Sequence, residues 1–479
     1  MGIDRREFIK RAGLVGGLGA AALALPGCRR VIGSPLGPIL GGQGMLEQAA
    51  TESGIDHVVV VMMENRSFDH WLGWLAEDQA YLDAGRSRYG ASFAVDGLQH
   101  QTFPGPSGPV TTEHLIGAAD EPSPYQGCTH EDPGHGWDEG RAQRDGGFLA
   151  PGSGNDVFAT GYYHGDDLPF TSEFVRSFTT FDRYHASLLG PTYPNRLYMH
   201  SAQSGGRKNN GIPAEGYTWD TIWNRLGQAG VPARYYFSDL PFLALFGPST
   251  APLLHPAADF FTDCAAGTLP AVSFLEPKFI GLEQNDDHPL ADIRRGQAFV
   301  RDAFRAFAQS PNWHNGLFIL TYDEWGGFFD HVTPPHFIDD RTSAVDEDDF
   351  SQAGFRVPAV LASPFAPPGF VDHRAYDHTS ILRFIEWRFL GAPAEGPGAA
   401  NDSWFLTSRD RNANNIGNAL LAQRCADDIG FDLNLTVPPP DPACAGGIGG
   451  LSVHEDNGSS MQAALDSGAF ERLGAKVLL

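Results

Sequence analysis

Apolar and polar positions along this chain predict a protein of alternating strands and helices. The run from Val58 to Met63 is continuous, rich in β-branched residues and too short to span a bilayer, so it reads as a strand covered on both faces. Apolar runs at Arg234 to Phe237, Ala271 to Leu275, Leu317 to Tyr322 and Ala359 to Ala362 read as further strands. Helices are predicted over Thr221 to Ala229, Ala291 to Ala308 and Thr379 to Phe389. In the second of these, Ile293, Phe299, Ala303, Phe304 and Phe307 recur at helical spacing and mark an inward face, so their aromatics read as core. The alternation favours a largely parallel α/β sheet with helices on both faces.

Other stretches carry no such period. Leu75 to Gly161 is dense in Gly, Pro, Asp and His and reads as long functional loops. Residues 29–53 read as a linker or surface arm, residues 54–392 as one catalytic-sized unit, and residues 393–479 as a C-terminal extension.

Composition narrows the partners. A formal net charge of −25 and the lack of a basic stripe argue against nucleic acid. Residues 1–28 read as a targeting segment. Arg5 and Arg6, then Phe8, Ile9 and Lys10, precede an apolar stretch from Ala12 to Leu25, the layout of a twin-arginine export signal. Leu25 to Cys28 resembles a lipobox, which leaves periplasmic, secreted and lipid-anchored forms open, with membrane-surface contact through such an anchor. Cys128, Cys264, Cys425 and Cys444 remain for disulfides, and a Cys425–Cys444 bridge across the proline-rich tail is the expected pairing.

Chemistry concentrates where buried runs end. Glu64 and Asn65 follow the first strand at the edge where open α/β sheets bind ligands. Asn65 or Ser67 would serve equally as the cap of a helix through Phe68, Trp71 and Leu75. Asp323 and Glu324 follow a second buried strand in the same way, and adjacent acids there repel unless a cation lies between them. Gly326 and Gly327 allow a tight turn that would return Asp330 and His331 to that edge. His331 would serve equally as a structural histidine. Pro191 and Pro194 bracket Thr192, either to hold a nucleophilic hydroxyl or to shape a helix start that Thr192 caps. Asp286, Asp287 and His288 precede a helix that one of the acids could cap, with His288 left as a proton donor. His135 sits in the Gly-rich loop before Trp137. Glu64, Asn65, Asp323, Glu324 and a threonine oxygen would make an all-oxygen site, suited to Ca²⁺, Mg²⁺ or Mn²⁺.

Five ordered motifs carry a resemblance: ENRSFDH at 64–70, GPTYPNR at 190–196, DHP at 287–289, YDEWGGFFDHV at 322–332 and YDHTSILRFIE at 376–386. Together they resemble the bacterial phosphoesterase family, with its phosphatidylcholine-type phospholipases C and acid phosphatases. The resemblance implies an alkaline phosphatase-like fold, one divalent metal ion held by Glu64, Asn65, Asp323 and Glu324, and Thr192 as the metal-bound nucleophile. It implies that His135 and His288 contact the phosphoryl oxygens or the leaving group, and counts His331, within the motif at 322–332, among the catalytic residues without a definite part. A phospholipid or a small phosphoester is the implied substrate. Three functions stay open at this point: a head-group phosphodiesterase, a phosphatase of monoesters, and an exported binding lipoprotein without catalysis.

Overall fold

The computed structural model describes residues 43–118, 121–396, 404–425, 430–444 and 460–478, so the export signal, the lipobox and Cys28 lie outside the described residues. Eight strands form the main sheet: β1 (His57–Met63), β2 (Thr179–Phe181), β3 (Ala233–Phe237), β4 (Leu254–Pro256), β5 (Val272–Leu275), β6 (Gly316–Tyr322), β7 (Ala359–Ala362) and β8 (Val371–Asp372). Their order across the sheet is β8-β2-β7-β6-β1-β5-β3-β4. The five strands from β6 to β4 pair in parallel, as the pattern predicts, while β7 runs antiparallel to both its neighbours. Burial of β7 on both faces leaves a continuous apolar run whichever way the strand points, so its direction is invisible in the pattern.

Register places the helices. Val59 pairs with Phe318 on β6 and Val60 with Phe274 on β5, so the two phenylalanines stand on opposite faces. Against Phe318 pack Phe304, on helix Ile293–Ala308, and Phe174, on helix Pro169–Ser177. Against Phe274 packs His200, on helix Thr192–Ser201. Both faces are therefore covered by helices.

Three expectations are corrected. The region from 75 to 161 is not only loop: it contains helices Gln79–Tyr89 and Trp137–Gly146 and a small hairpin, Thr102–Gly105 with Gly108–Thr111. Helix Trp137–Gly146 is mostly polar, and side-chain hydrogen bonds from Arg141 and Gln143 fasten it, which leaves no apolar stripe to read. Within the supposed linker, Met45 is fully buried and Gly44 bridges to Leu421. Cys444 is bonded to Cys128 and not to Cys425. The tail is drawn across the body there: Gln126 donates to the Pro442 carbonyl at 3.2 Å, and Arg294 pairs with Asp441 at 2.7 Å. Cys264 is buried with a free thiol. Among the described residues no helix is long and apolar enough to cross a membrane.

Candidate active site

Three neighbouring parallel strands end in acids. Met63 pairs with Tyr322, so Glu64 and Asp323 step off β1 and β6 side by side, and Glu276 follows β5 directly. All three are buried, as are Asn65 and Glu324. Asp323 also orders the backbone, accepting the amides of Asn65 at 3.2 Å and Glu324 at 2.7 Å. Asn65 sits at φ 60°, a strained value for a side-chain-bearing residue, and Gly326 opposite it at φ 62°. A Cβ at Gly326 would strike the Asn65 carbonyl, and one at Gly327 would meet the Gly134 carbonyl at 2.6 Å. The two glycines thus let the loop after β6 close against both the Glu64 turn and the loop that carries His135. Ser67 caps helix Phe68–Leu72 by accepting from the His70 amide, so the capping expectation and the strand-end acids are both realised.

Thr192 is the first residue of its helix; Pro191 occupies the cap position with no side-chain bond, so the threonine hydroxyl is not a cap. The side chain of Asn195 folds back to the 188–191 loop, donating to the Gly190 carbonyl at 2.8 Å and accepting from the Leu188 amide at 2.8 Å. One turn on from Thr192, on the same helix face, lies Arg196. Its guanidinium reaches Glu276 at 2.8 Å, Glu64 at 3.2 Å and Asp323 at 3.2 Å, tying the Thr192 helix to all three strand ends.

Two loops complete the site. His135 gives its Nδ1 to the Pro133 carbonyl at 2.7 Å, and its Nε2 lies 3.3 Å from Asn65 Nδ2 and 3.9 Å from Glu324. His288 uses Nδ1 on the Pro289 carbonyl, and its Nε2 is 3.6 Å from Asp132. Arg66 clamps this second loop through the Asp287 carbonyl at 2.6 Å. Asp286 and Asp287 are not caps of the following helix, which Asp292 caps. Asp286 instead accepts from Gln284 and from the His288 amide, and Asp287 accepts the Tyr322 hydroxyl.

Electrostatics follow from burial. Desolvation pushes the carboxyls of Glu64, Glu324 and Asp323 above their ordinary values; Asp323 adds to the rise at the first two, while Arg196 opposes it at Glu64 and Asp323. At His288 burial works against the charged ring, but the carboxylates of Asp132 and Glu64 outweigh it and raise its pKa. Several buried oxygens here make no hydrogen bond: Glu64 Oε1, Asn65 Oδ1, Glu324 Oε1 and both of Asp132. Unsatisfied oxygens at this depth are what a bound cation would need. Asp132, His135 and His288 also each offer a donor atom within 4.8 Å of the others.

The expectation that the turn at Gly326 and Gly327 returns Asp330 and His331 to the strand-end acids is corrected: both side chains are engaged in a separate cluster. His331 holds Asp69 at 2.6 Å and Asp96 at 3.1 Å, beside an Arg356 that pairs with Asp69 and Asp330. The Asp69 and Asp330 oxygens are further occupied by the amides of Leu98 and Val332, so this cluster braces a loop. Four residues of the site escaped the sequence reading: Glu276 and Arg196, described above, and Asp132 and His378. Asp132 is a lone acid in a loop with no period around it. His378, at the start of helix His378–Ile385, meets the Asp323 carbonyl through Nε2 at 2.6 Å; its place in the motif at 376–386, beside Asp377, was the signal that could have found it.

The Phosphoesterase family matches residues 55–390. The chain belongs to the phosphoesterase family. As a phosphoesterase it is a hydrolase acting on phosphoric ester bonds. It is 31% identical over 399 residues to non-specific phospholipase C6 of Arabidopsis thaliana, covering 75% of this chain and 71% of that protein. Phospholipase C B of Mycobacterium tuberculosis is 30% identical over 465 residues, 84% of each chain. A protein of the alkaline phosphatase superfamily from Vibrio parahaemolyticus aligns over 74% of this phosphoesterase and 92% of itself, at 8% identity and a TM-score of 0.29, a likeness too slight to argue from.

Proposed function

We propose that this phosphoesterase is a metal-dependent phosphodiesterase of the phospholipase C type, with Thr192 as nucleophile. The observation that carries the reading is the set of buried oxygens on Glu64, Asn65 and Glu324 that make no hydrogen bond, gathered at adjoining strand ends. With Asp323 and the Thr192 hydroxyl they would hold one divalent cation, Ca²⁺, Mg²⁺ or Mn²⁺ suiting an all-oxygen set. Such a cation supplies positive charge that favours the alkoxide of a hydroxyl at neutral pH and offsets the charge of the phosphoryl oxygens.

Thr192 stands at a helix N-terminus, whose dipole also favours an anionic oxygen. Its oxygen bonds to phosphorus as the bond to the alcohol breaks, and His288, whose protonated form the carboxylates of Asp132 and Glu64 favour, gives its proton to the departing alcohol. Neutral His288 then takes a proton from water, the hydroxide displaces the threonine oxygen from phosphorus, and the phosphate monoester leaves. His135 lines the same space through Nε2. Both named relatives are phospholipases C, which supports a lipid diester as the substrate class. The Cys128–Cys444 disulfide favours an oxidising compartment, in keeping with the twin-arginine layout of the first residues, and we place the mature protein outside the cytoplasm.

Thr192→Ala tests the mechanism: turnover of p-nitrophenyl phosphorylcholine should vanish with the melting temperature unchanged, and retained turnover would remove the threonine from it. Comparing that substrate with p-nitrophenyl phosphate tests the class. A clear preference for the monoester would make the protein a phosphatase.

A further inference from the structure

One side chain touches every strand end of the site. The Arg196 guanidinium is fully buried and faces a carboxylate from a different strand with each of its nitrogens: Nη1 donates to Glu276 and Nε to Asp323, while Nη2 stands 3.2 Å from Glu64 Oε1 as an ion pair without hydrogen-bond geometry, which leaves that oxygen open to a cation. Its plane lies over the Phe279 ring, 4.9 Å from the ring centre, which fixes the fork from a fourth side. Glu276 differs from the other two acids: its second oxygen accepts the Phe242 amide at 3.2 Å, so it belongs to the frame around the oxygen set.

We infer that Arg196 is the positioning residue of the site, a planar fork that sets Glu64 against Asp323 and registers both with the helix turn that begins at Thr192, with Glu276 as its outer anchor. The inference rests on the reading that Glu64 and Asp323 hold the cation. Two carboxylates that share an ion must stand close together, and without a counter-charge they repel. A guanidinium already bound to both holds that spacing before the ion arrives, so the ion binds a preorganised pair instead of organising one. Lysine would keep the charge and lose the geometry, because a point donor cannot span three strands as a fork does. The same fork couples the ion to the nucleophile, since Thr192 and Arg196 share one helical face.

The test uses the full chain, stripped with chelator, as wild type, Arg196→Lys and Glu276→Gln. Calorimetric titration with Mn²⁺, Mg²⁺ and Ca²⁺ gives the affinity, and kcat and KM follow with p-nitrophenyl phosphorylcholine. The wild type should take up one ion. Arg196→Lys should bind it at least about 30-fold more weakly and Glu276→Gln about tenfold more weakly, in the range seen when a residue behind a ligand is changed. The loss should fall on kcat, with KM shifted less than about threefold. Should Arg196→Lys fail to fold, Glu276→Gln, which removes only the anchor's charge, decides the matter. Wild-type affinity in both variants, or in a folded Glu276→Gln alone, overturns the inference while leaving the cation reading intact. A wild type that is active yet takes up none of the three ions overturns the cation reading, and this inference with it.

Discussion

His135 and His288 meet edge to face, with ring centres 6.0 Å apart, and each gives its Nδ1 to the carbonyl of a proline, Pro133 or Pro289. That shared arrangement leaves Nε2 of both rings as the working nitrogen. A proton handed over by His288 matters most when the departing alcohol is basic. His288→Gln should therefore lower kcat by about 10²–10⁴-fold on phosphatidylcholine and far less on p-nitrophenyl phosphorylcholine, whose phenolate leaves without help. Parallel rate measurements on the two substrates check this; equal losses on both would take the proton from His288.

Gly326 lies directly against the Asn65 turn. Gly326→Ala places a methyl group against the Asn65 carbonyl at a left-handed backbone angle. The expected cost is about 2–3 kcal/mol of stability, read by urea denaturation, together with weaker cation binding because Asn65 must shift.

His130 bridges Asp156 at 2.7 Å and Glu121 at 2.8 Å, and these partners, Asp156 first, raise its pKa to about 9. A histidine raised in the folded state stabilises fully below its unfolded value of about 6.5, and that stabilisation is lost as pH climbs through about 9. Between pH 6.5 and 9.5 the wild-type melting temperature should fall by about 2 °C more than that of His130→Gln. Parallel melting curves for the two would remove this role.

Cys128 lies four residues before Asp132, and the segment bonded to it also touches the His288 loop, where Asp441 accepts through its ion pair with Arg294 and its amide donates to Asp292 at 2.9 Å. Reduction, or Cys444→Ser, should cost about 2–4 kcal/mol in stability. It should also depress kcat at temperatures where the protein is still folded by circular dichroism, because two site loops lose their common tether.

The parts of this molecule that were legible are those whose burial is written in one short run. β1, β6 and β7 are covered on both faces and read as unbroken apolar stretches, and the acids at the ends of β1 and β6 stood out because polarity changes there within one residue. Helix Ile293–Ala308 was legible from its spacing. Helix Trp137–Gly146 was not, since side-chain hydrogen bonds hold it, and neither were the two-residue edge strand β8 and the reversed direction of β7. Asp132 and the Cys128–Cys444 bond depend on contacts between distant segments, 316 residues apart for the disulfide, which no local pattern records.

The one-to-one pairing of Met63 with Tyr322 has a consequence for how this protein can change. A slip of a single position between β1 and β6 would move every core side chain on one strand to the opposite face of the sheet, against packing shaped for its neighbour, and, in the same movement, carry Glu64 past Asp323. Interior and chemistry share one alignment, so no insertion within these strands can retune the spacing of the acids without dismantling the protein around them. Variation in what the molecule acts upon is confined to the segments beyond the strand tips.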